Sequence, residues 1–327
     1  MAVLASAVNA GAQDVQTAAA EAAKALSEAE AAKAEAPKPV YWTRSAEFDL
    51  GFNQTGLTNW AAGGYNTVSL AAGVDGKANY AKDLMSWNNR LQLNYGFLWS
   101  ADKSNLIQKS TDRLYFESTW AYRTGKDSKW NYTASFNFRS QFTKGYDKYV
   151  QDAETQKWSG TLKSGFISPA YTNIALGMEW KPTDWFNVNI APLTGGFTIC
   201  TIDELKKGYG MKLREDGLDA AIGANYKAAL FQFGAQVKIN AKAVINDVFT
   251  YDTQLVVFTD YLSNPFIDNR VNWDNKISWK ATKLFKVALD TWLLYDPIVT
   301  INDVTSLTQF KEFFSINFTY TITDKKK

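Results

Sequence analysis

The side chains that support nucleophilic and metal-assisted chemistry are scarce in this sequence. It contains no histidine and a single cysteine, Cys200. A histidine-dependent catalytic triad and an intrachain disulfide are therefore excluded, and a metal site would depend on carboxylates alone. We predict that the protein is not an enzyme and that it holds neither a metal nor a cofactor.

Pairs of carboxylates are the remaining residues that could act together as an acid and a base. The candidate pairs are Glu117 with Glu179, and Asp274 with Asp290. The competing interpretation is that these carboxylates form ion pairs with Arg113, Arg139 and Lys276. We favour ion pairing, because buried charges are tolerated mainly when they are paired.

A glycine-rich stretch at residues 56–67, GLTNWAAGGYNT, has the composition of a phosphate-binding loop. A P-loop ends in Gly-Lys-Ser/Thr and opens a helix. Here Gly63 and Gly64 lead into Tyr65 and an alternating segment instead. We predict a tight turn between two strands, with Asn59, Trp60, Gly63 and Gly64 as its key residues and Trp60 as its anchor.

Most of the chain alternates between apolar and polar residues with a period of two. In KWNYTASFNFRSQF (129–142), aromatic residues and Ala134 occupy one face, and Asn, Thr, Ser, Arg and Gln occupy the other. Such alternation predicts a strand with one apolar face. The predicted strands are 46–55, 66–78, 86–100, 111–123, 130–143, 171–181, 185–193, 229–241, 247–261, 270–280, 284–296 and 309–323. Fourteen strands is the alternative, if residues 216–228 form a further hairpin.

Three features favour a barrel that turns its apolar face to lipid over a soluble barrel or sandwich. Many strands are longer than the five or six residues typical of soluble sheets. Trp87 and Trp99, like Trp130 and Phe142, are separated by a span of roughly 30 Å at a tilt near 40°, about the spacing of two aromatic girdles. Short connections (124–128, 181–184, 242–246, 281–284) alternate with long ones (101–110, 144–170, 194–228, 262–269, 297–308).

A closed antiparallel transmembrane β-barrel therefore places the polar faces of its strands around a lumen. The charged residues predicted to line it or to form a constriction are Arg90, Arg113, Glu117, Arg139, Glu179, Asp274, Lys276 and Asp290. The loop at 194–228 is the predicted plug, because it contains the helix-like segment TIDELKKGYGMKLRED.

The N-terminal region differs from the rest of the chain. Ala10-Gly11-Ala12 fits a secretory cleavage site, so residues 1–12 are expected to be the end of a signal peptide. Residues 13–40 are rich in Ala, Glu and Lys and end at prolines, which predicts a periplasmic helical spacer before a barrel at 41–327. No segment has the roughly 18 consecutive apolar residues of a membrane helix.

Several segments resemble an outer-membrane barrel family of unknown function found in Bacteroidota-type bacteria. They are FNQTGLTNWAAGGYNTVSL, SWNNRLQLNYG, FNFRSQFTKGY, SPAYTNIALGMEWKP and YDPIVTI with QFKEFFSINFTY, and they extend from about Trp42 to Tyr320. The NWAAGG core (59–64) and FRSQF (138–142) are the most specific. The resemblance implies the fold and an outer-membrane location but no substrate.

We predict an outer-membrane barrel of a Gram-negative bacterium, with periplasmic termini, that forms a narrow pore for small polar solutes. The alternative is a non-conducting structural or assembly component that acts through its loops or N-terminal helix. The expected partners are outer-membrane lipid and, in the alternative, other outer-membrane or periplasmic proteins. The net charge of +2 gives no indication of a nucleic-acid partner.

Overall fold

The computed structural model describes residues 20–21, 23–25, 27–28, 40–55, 66–103, 106–216, 221–263, 265, 267, 269–301, 304–305 and 308–324. The predicted signal residues 1–12 and the glycine-rich turn with Asn59, Trp60, Gly63 and Gly64 lie outside the described residues.

The chain divides into two units, Met1–Tyr41 and Trp42–Lys327. In the first unit, the described residues between 20 and 28 are helical and exposed, as their composition of good helix formers favours. Among the described residues, no helix combines the length and the apolarity that a membrane-crossing helix requires.

The second unit is a closed antiparallel barrel of twelve strands, which confirms the predicted fold class, and the alternative of fourteen strands is wrong. The strands of the barrel are β1 (Trp42–Thr55), β2 (Thr67–Lys82), β3 (Met85–Ser100), β4 (Ile107–Arg123), β5 (Trp130–Ser140), β8 (Ala170–Trp180), β9 (Phe186–Ile199), β10 (Ala229–Ile245), β11 (Phe249–Asp260), β12 (Asn269–Lys280), β13 (Phe285–Tyr295) and β16 (Thr308–Thr323). Each strand pairs with its neighbour along the chain, and β1 pairs with β16 to close the ring, for example at Ser45↔Thr323.

The connections at one end of the barrel are short, and we call this the turn end. The opposite end, the loop end, carries the long connections. Two of these contain hairpins that the sequence did not predict: β6 (Gly145–Gln151) with β7 (Trp158–Ser164), and β14 (Thr300–Ile301) with β15 (Val304–Thr305). Described residues 221–228 add no strand to the barrel.

Two predicted connections are shorter than expected because the strand ladders continue into them. β10 pairs with β11 as far as Ile245↔Phe249, so the predicted turn at 242–246 is mostly strand. The chain reverses at Asn246 and Asp247, whose φ angles are 53° and 55°. Asn and Asp tolerate this left-handed conformation. At the loop end, β9 continues to Ile199, so the predicted loop at 194–228 begins only at Cys200.

Register shifts in the barrel coincide with glycines. The pairing of β8 with β9 shifts at Gly177, and that of β10 with β9 shifts beside Gly234. A Cβ atom at either position would collide with a backbone carbonyl, that of Ile190 or of Thr259. Only glycine allows two backbones to approach so closely, at the bulge between β8 and β9 for Gly177 and against the other neighbouring strand, β11, for Gly234.

The distribution of apolar side chains is the reverse of that in a soluble protein. Large apolar residues such as Leu50, Ile174, Ile190 and Phe314 are exposed on the outside of the strands, each with a fractional exposure of 49% or more. The inward positions carry charged and amide side chains. A contiguous exposed apolar surface of this kind requires a lipid environment, so the chain has the architecture of an outer-membrane β-barrel protein.

Aromatic rings form a girdle around the turn end. Trp42 contacts Tyr80 and Trp87, with ring centroids 5.3 and 5.9 Å apart. The ring centroid of Trp130 lies 6.5 Å from that of Trp180, and Trp180 in turn contacts Phe186 at a centroid distance of 6.3 Å. The predicted girdle residues Trp87 and Trp130 lie in this ring.

The other two predicted girdle residues lie at the loop end. Trp99 pairs with Ile107 at the rim of the barrel. The position of Phe142 differs from the prediction, because β5 ends at Ser140 and Phe142 lies in the following loop. Its N–H donates to the carboxylate of Asp112 (2.8 Å), which also accepts the N–H of Thr143 (2.9 Å) and so draws this segment out of the strand.

Candidate functional site

The inside of the barrel contains a cavity of about 1010 Å³. It is lined by the inward faces of the strands and by parts of the loop-end connections. Of the predicted lumen residues, six line this cavity: Arg90, Arg113, Arg139, Asp274, Lys276 and Asp290. Glu117 and Glu179 lie outside its lining.

Arg90 on β3 holds the carboxylate of Asp75 on the neighbouring strand β2. Its Nε donates to Oδ1 at 3.0 Å and its Nη2 donates to Oδ2 at 2.6 Å. This bidentate geometry is the strongest form of an arginine–carboxylate pair. Both side chains are thereby fixed against the barrel wall.

The ion pair between Arg113 and Asp274 crosses the lumen. Arg113 lies on β4 and Asp274 on β12, and the two strands are six positions apart around the ring in either direction. Arg113 Nη2 nevertheless lies 3.4 Å from Asp274 Oδ2. Two side chains from opposite walls therefore meet and narrow the lumen at this level.

Glu117 takes part in a second contact across the interior. Lys238 on β10 donates to Glu117 Oε1 at 2.5 Å, and the Tyr115 hydroxyl donates to the same carboxylate. Because β4 and β10 are four positions apart in the ring, this pair also spans part of the lumen. Glu117 is thus paired with a lysine and does not form a dyad with Glu179 through hydrogen bonds.

The remaining predicted carboxylates also have separate partners. Glu179 accepts a hydrogen bond from the side-chain amide of Asn131 at 2.9 Å. Asp290 lies 4.0 Å from Lys276 on the adjacent strand β12. Asp274 and Asp290 therefore each face a different cation, and neither is arranged as one half of an acid–base pair.

A cluster at the turn end adds charges that the sequence analysis did not single out. Lys286 on β13 donates to Glu47 at 2.6 Å and to Asp49 at 3.1 Å, both on β1. Asp49 also accepts a hydrogen bond from Thr319 at 2.6 Å. This network ties β13 to β1 across β16, next to the seam where the barrel closes.

Arginine and tyrosine side chains from β4, β5, β8 and β12 pack against one another inside the lumen. Tyr115, Arg139 and Tyr171 are direct cross-strand partners on β4, β5 and β8. Arg139 Cζ lies 4.7 Å from the centroid of the Tyr171 ring, and Arg270 Cζ lies 5.7 Å from the same ring. Arg113 packs over Tyr115 at 5.1 Å. We call these five residues the Arg–Tyr belt.

The segment 200–213, which we call the lid, covers the cavity at the loop end. It contains the short helix α1 (Asp203–Lys206), and Glu204, Leu205, Gly208 and Tyr209 line the cavity. Cys200, Leu205 and Met211 form a small buried core, against which Leu162, Ile202, Tyr209, Tyr226 and Leu230 pack. The predicted plug segment therefore folds over the lumen as part of an ordered cap.

Hydrogen bonds connect the lid to two other loops. The Tyr209 hydroxyl donates to the carbonyl of Lys163 on β7 at 2.8 Å. The Thr300 N–H donates to the carbonyl of Gly208 at 3.1 Å. Burial raises the pKa of Tyr209, with a further contribution from Tyr171, so the hydroxyl remains a donor at neutral pH.

The described residues contain no group of three or more His, Cys, Asp or Glu side chains arranged to hold a metal ion.

Residues 52–146 match the model of a family described as a protein of unknown function (DUF3078). The match is consistent with the predicted resemblance to an unknown-function family and includes the first three segments on which it was based. The two later segments lie outside the matched residues. No curated protein matches the sequence.

Solved structures with a similar fold are bacterial barrels of low sequence identity. The translocator domain of autotransporter NalP from Neisseria meningitidis has 10% identity and a TM-score of 0.36, covering 94% of this chain and 97% of that chain. The NanC porin has 9% identity and a TM-score of 0.36, with 85% and 98% covered. The toluene transporter TodX from Pseudomonas putida has 9% identity and a TM-score of 0.31, with 87% and 89% covered.

Several lumen residues were missed because their roles depend on contacts across the barrel. Asp75, Lys238, Tyr171 and Arg270 fall on the polar faces of strands, which was the available signal. Period-two alternation identifies such a face, but it does not say which charges on different strands will meet.

Proposed function

We propose that this protein is an outer-membrane barrel of a Gram-negative bacterium that acts as a narrow conduit for small polar solutes. The observation that carries the proposal is the cavity of about 1010 Å³, lined by charged and amide side chains within an apolar outer wall. Lumen side chains set selectivity in such barrels. In this proposal the protein has no catalytic role. The lipid of the outer membrane is the proposed direct partner of its outer wall.

The proposed orientation places the turn end and both termini of the barrel in the periplasm and the lid outside the cell. Short periplasmic turns and long external loops are the usual asymmetry of these barrels. Solutes would then enter beneath the lid and pass the ion pair of Arg113 and Asp274 that spans the lumen. A passage with such a crossing suits small solutes better than large ones.

Planar-bilayer recording of the purified protein tests conduction directly. We expect discrete single-channel steps that are small compared with those of a wide porin, because ion pairs and the lid obstruct the lumen. Protein that shifts on a gel after heating and has a β-rich circular dichroism spectrum, but never conducts, would contradict the conduit.

A non-conducting structural or assembly role is the second candidate. It is favoured by the two ion pairs that cross the interior, Arg113–Asp274 and Glu117–Lys238. If the barrel is a component of a larger complex, pull-down in a gentle detergent should recover other outer-membrane or periplasmic proteins. Recovery of the barrel alone would count against this role.

A further inference from the structure

The positive charges that line the cavity differ in how they are neutralised. Arg90, Arg113, Arg270 and Lys276 each lie within 4.0 Å of a carboxylate. Arg139 is different: within the described part of the chain it has no carboxylate or hydrogen-bond partner, and its interaction is with the face of Tyr171 at 4.7 Å. A guanidinium stacked on a ring keeps its N–H edge free for a planar oxyanion.

The surroundings of Arg139 in the Arg–Tyr belt reinforce its positive character. Tyr115 and Tyr171, its cross-strand partners, carry no charge, and Arg270 lies over the same Tyr171 ring. Arg270 is neutralised by Asp296 at 2.7 Å. The guanidinium of Arg139 is therefore the unneutralised charge of the belt.

Two carboxylates of the cavity lining have no cation in direct contact, and neither neutralises Arg139. Asp252 is in electrostatic range of Lys77 and Arg90, at another part of the lumen. Glu204 lies on the lid and is exposed to solvent. The belt therefore keeps a positive charge inside a partly enclosed space, where charge interactions are stronger than in bulk water.

Unpartnered polar atoms lie on both sides of the same cavity, one on β4 beside the strand of Arg139 and one on β12 across the lumen. Among the described residues, Arg113 Nε and Asn272 Oδ1 are buried and have no hydrogen-bond partner. Asn272 lies on β12 between Arg270 and Asp274, two positions from each along one face of the strand. A free donor and a free acceptor suit the hydroxyl groups of a polyhydroxylated solute.

We propose that the Arg–Tyr belt is a binding site for a small hydroxylated oxyanion, a sugar acid or a sugar phosphate, with Arg139 as the group that holds the carboxylate or phosphate. This inference rests on the proposed function, because it names the class of solute that the conduit admits. Arg139 donates from its N–H edge to two oxygens, and Asn272 and Arg113 Nε bind the hydroxyl groups. Rings of arginine serve as anion filters in other pores by the same electrostatic attraction.

Isothermal titration calorimetry on the detergent-solubilised full chain tests the site without requiring conduction. The probes are sodium gluconate, glucose 6-phosphate and, as the neutral comparison, glucose. We expect at least one of the two oxyanions to bind and glucose to bind more weakly. Arg139→Gln should weaken oxyanion binding by about tenfold or more, as expected for the loss of charge-assisted hydrogen bonds.

Arg123→Gln is the matched control, because Arg123 ends β4 at the turn end and is exposed. It removes the same charge and should bind the probes as the wild type does. A heat-modifiable gel shift verifies that both variants are folded. If glucose binds as tightly as the two oxyanions, if neither oxyanion binds, or if Arg139→Gln binds as the wild type does, the site is overturned.

The two arms of the experiment also separate the site from the conduit. Binding of gluconate alone would assign the site to carboxylates, and binding of glucose 6-phosphate alone would assign it to phosphates. Binding that depends on Arg139 in a barrel that shows no bilayer current would refute the conduit while leaving the site in place. Current without binding of either oxyanion would refute the site alone.

Discussion

At the scale of single residues, the ion pair of Arg113 and Asp274 limits the free width of the lumen. It connects opposite walls, and both side chains remain partly exposed to the cavity, at 24% and 21%. Because most of each side chain is buried, removing one partner alone leaves a largely buried charge without its counter-ion, which is unfavourable. The pair therefore affects both the free width of the lumen and the stability of the barrel.

Arg113→Ala and Asp274→Ala are each expected to raise single-channel conductance, because either substitution removes the crossing. The double variant should conduct little more than the better single variant, since all three lose the same contact. The double variant, which removes both charges, should lower the free energy of unfolding less than either single variant does. Lys181→Ala, which breaks the exposed pair with Asp184 in a turn, serves as the control and should leave the conductance unchanged. Wild-type conductance in both single variants would contradict an obstructing role.

The thiol of Cys200 is expected to be unreactive in the folded protein. Cys200 is fully buried, and burial raises the pKa of its thiol above the ordinary value. Since the thiolate is the nucleophile, a raised pKa lowers the reactive fraction at any pH below it and moves labelling to higher pH. A charged maleimide at pH 8 should label the protein only after heating in detergent.

A cysteine placed at an exposed loop position provides the comparison for this measurement. Lys157→Cys in a Cys200→Ser background should be labelled at pH 8 without heating, because Lys157 is exposed in the loop between β6 and β7. Rapid labelling of native Cys200 would show that the lid core is open in solution.

The residue scale is also where prediction from sequence reached its limit. Alternation placed Arg113 and Asp274 on polar faces, but they are separated by 161 positions in the chain. Their contact depends on the number of strands, the closure of β1 on β16 and the register of every pair between them. No local pattern carries that information.

At the scale of elements, the strands could be predicted because one face of each is apolar. All twelve predicted barrel strands are present, and the differences lie at their ends. β5 ends early because the Asp112 carboxylate binds the backbone of Phe142 and Thr143, and β10 runs long to a turn at Asn246 and Asp247. Side-chain contacts from another strand, and the choice between adjacent turn sites, determine such ends.

The lid depends on its small apolar core, so a charge placed there should release it. Leu205 is 7% exposed within the core. Leu205→Asp buries an unpaired carboxylate, which is strongly unfavourable, and we expect the lid to open locally. Trypsin should then cleave faster after Lys206, Lys207, Lys212 or Arg214, while the heat-modifiable shift of the barrel persists.

Leu213→Asp is the matched control for the lid, since Leu213 is 40% exposed in the same segment. It introduces the same charge without burying it and should be cleaved at the wild-type rate. Equal cleavage of the two variants would mean that the Leu205 core does not hold the lid. In bilayers, Leu205→Asp should also conduct more than Leu213→Asp if the lid restricts entry.

At the scale of the whole molecule, the outer surface determines where this barrel can exist. Leu93 on β3 lies midway between Trp87 and Trp99 and has Val74 and Leu114 as its cross-strand neighbours on the same outward face. A row of apolar residues between two aromatic levels corresponds to the hydrocarbon core of a bilayer. A charged side chain on the outer wall should therefore destabilise the barrel less the farther it lies from this row.

Leu93→Arg and Ile107→Arg compare the middle and the rim of the outer wall. Ile107 pairs with Trp99 at the loop end and is 68% exposed. In lipid, arginine costs about 2–4 kcal/mol at the midplane and about 0–1 kcal/mol near the interface. Reversible unfolding by denaturant in lipid vesicles should thus show a much larger loss of stability for Leu93→Arg. If this face were exposed to water, an arginine would cost little at either depth, and the two variants would lose similar amounts of stability. Equal stability of the two variants would therefore refute the lipid-facing wall.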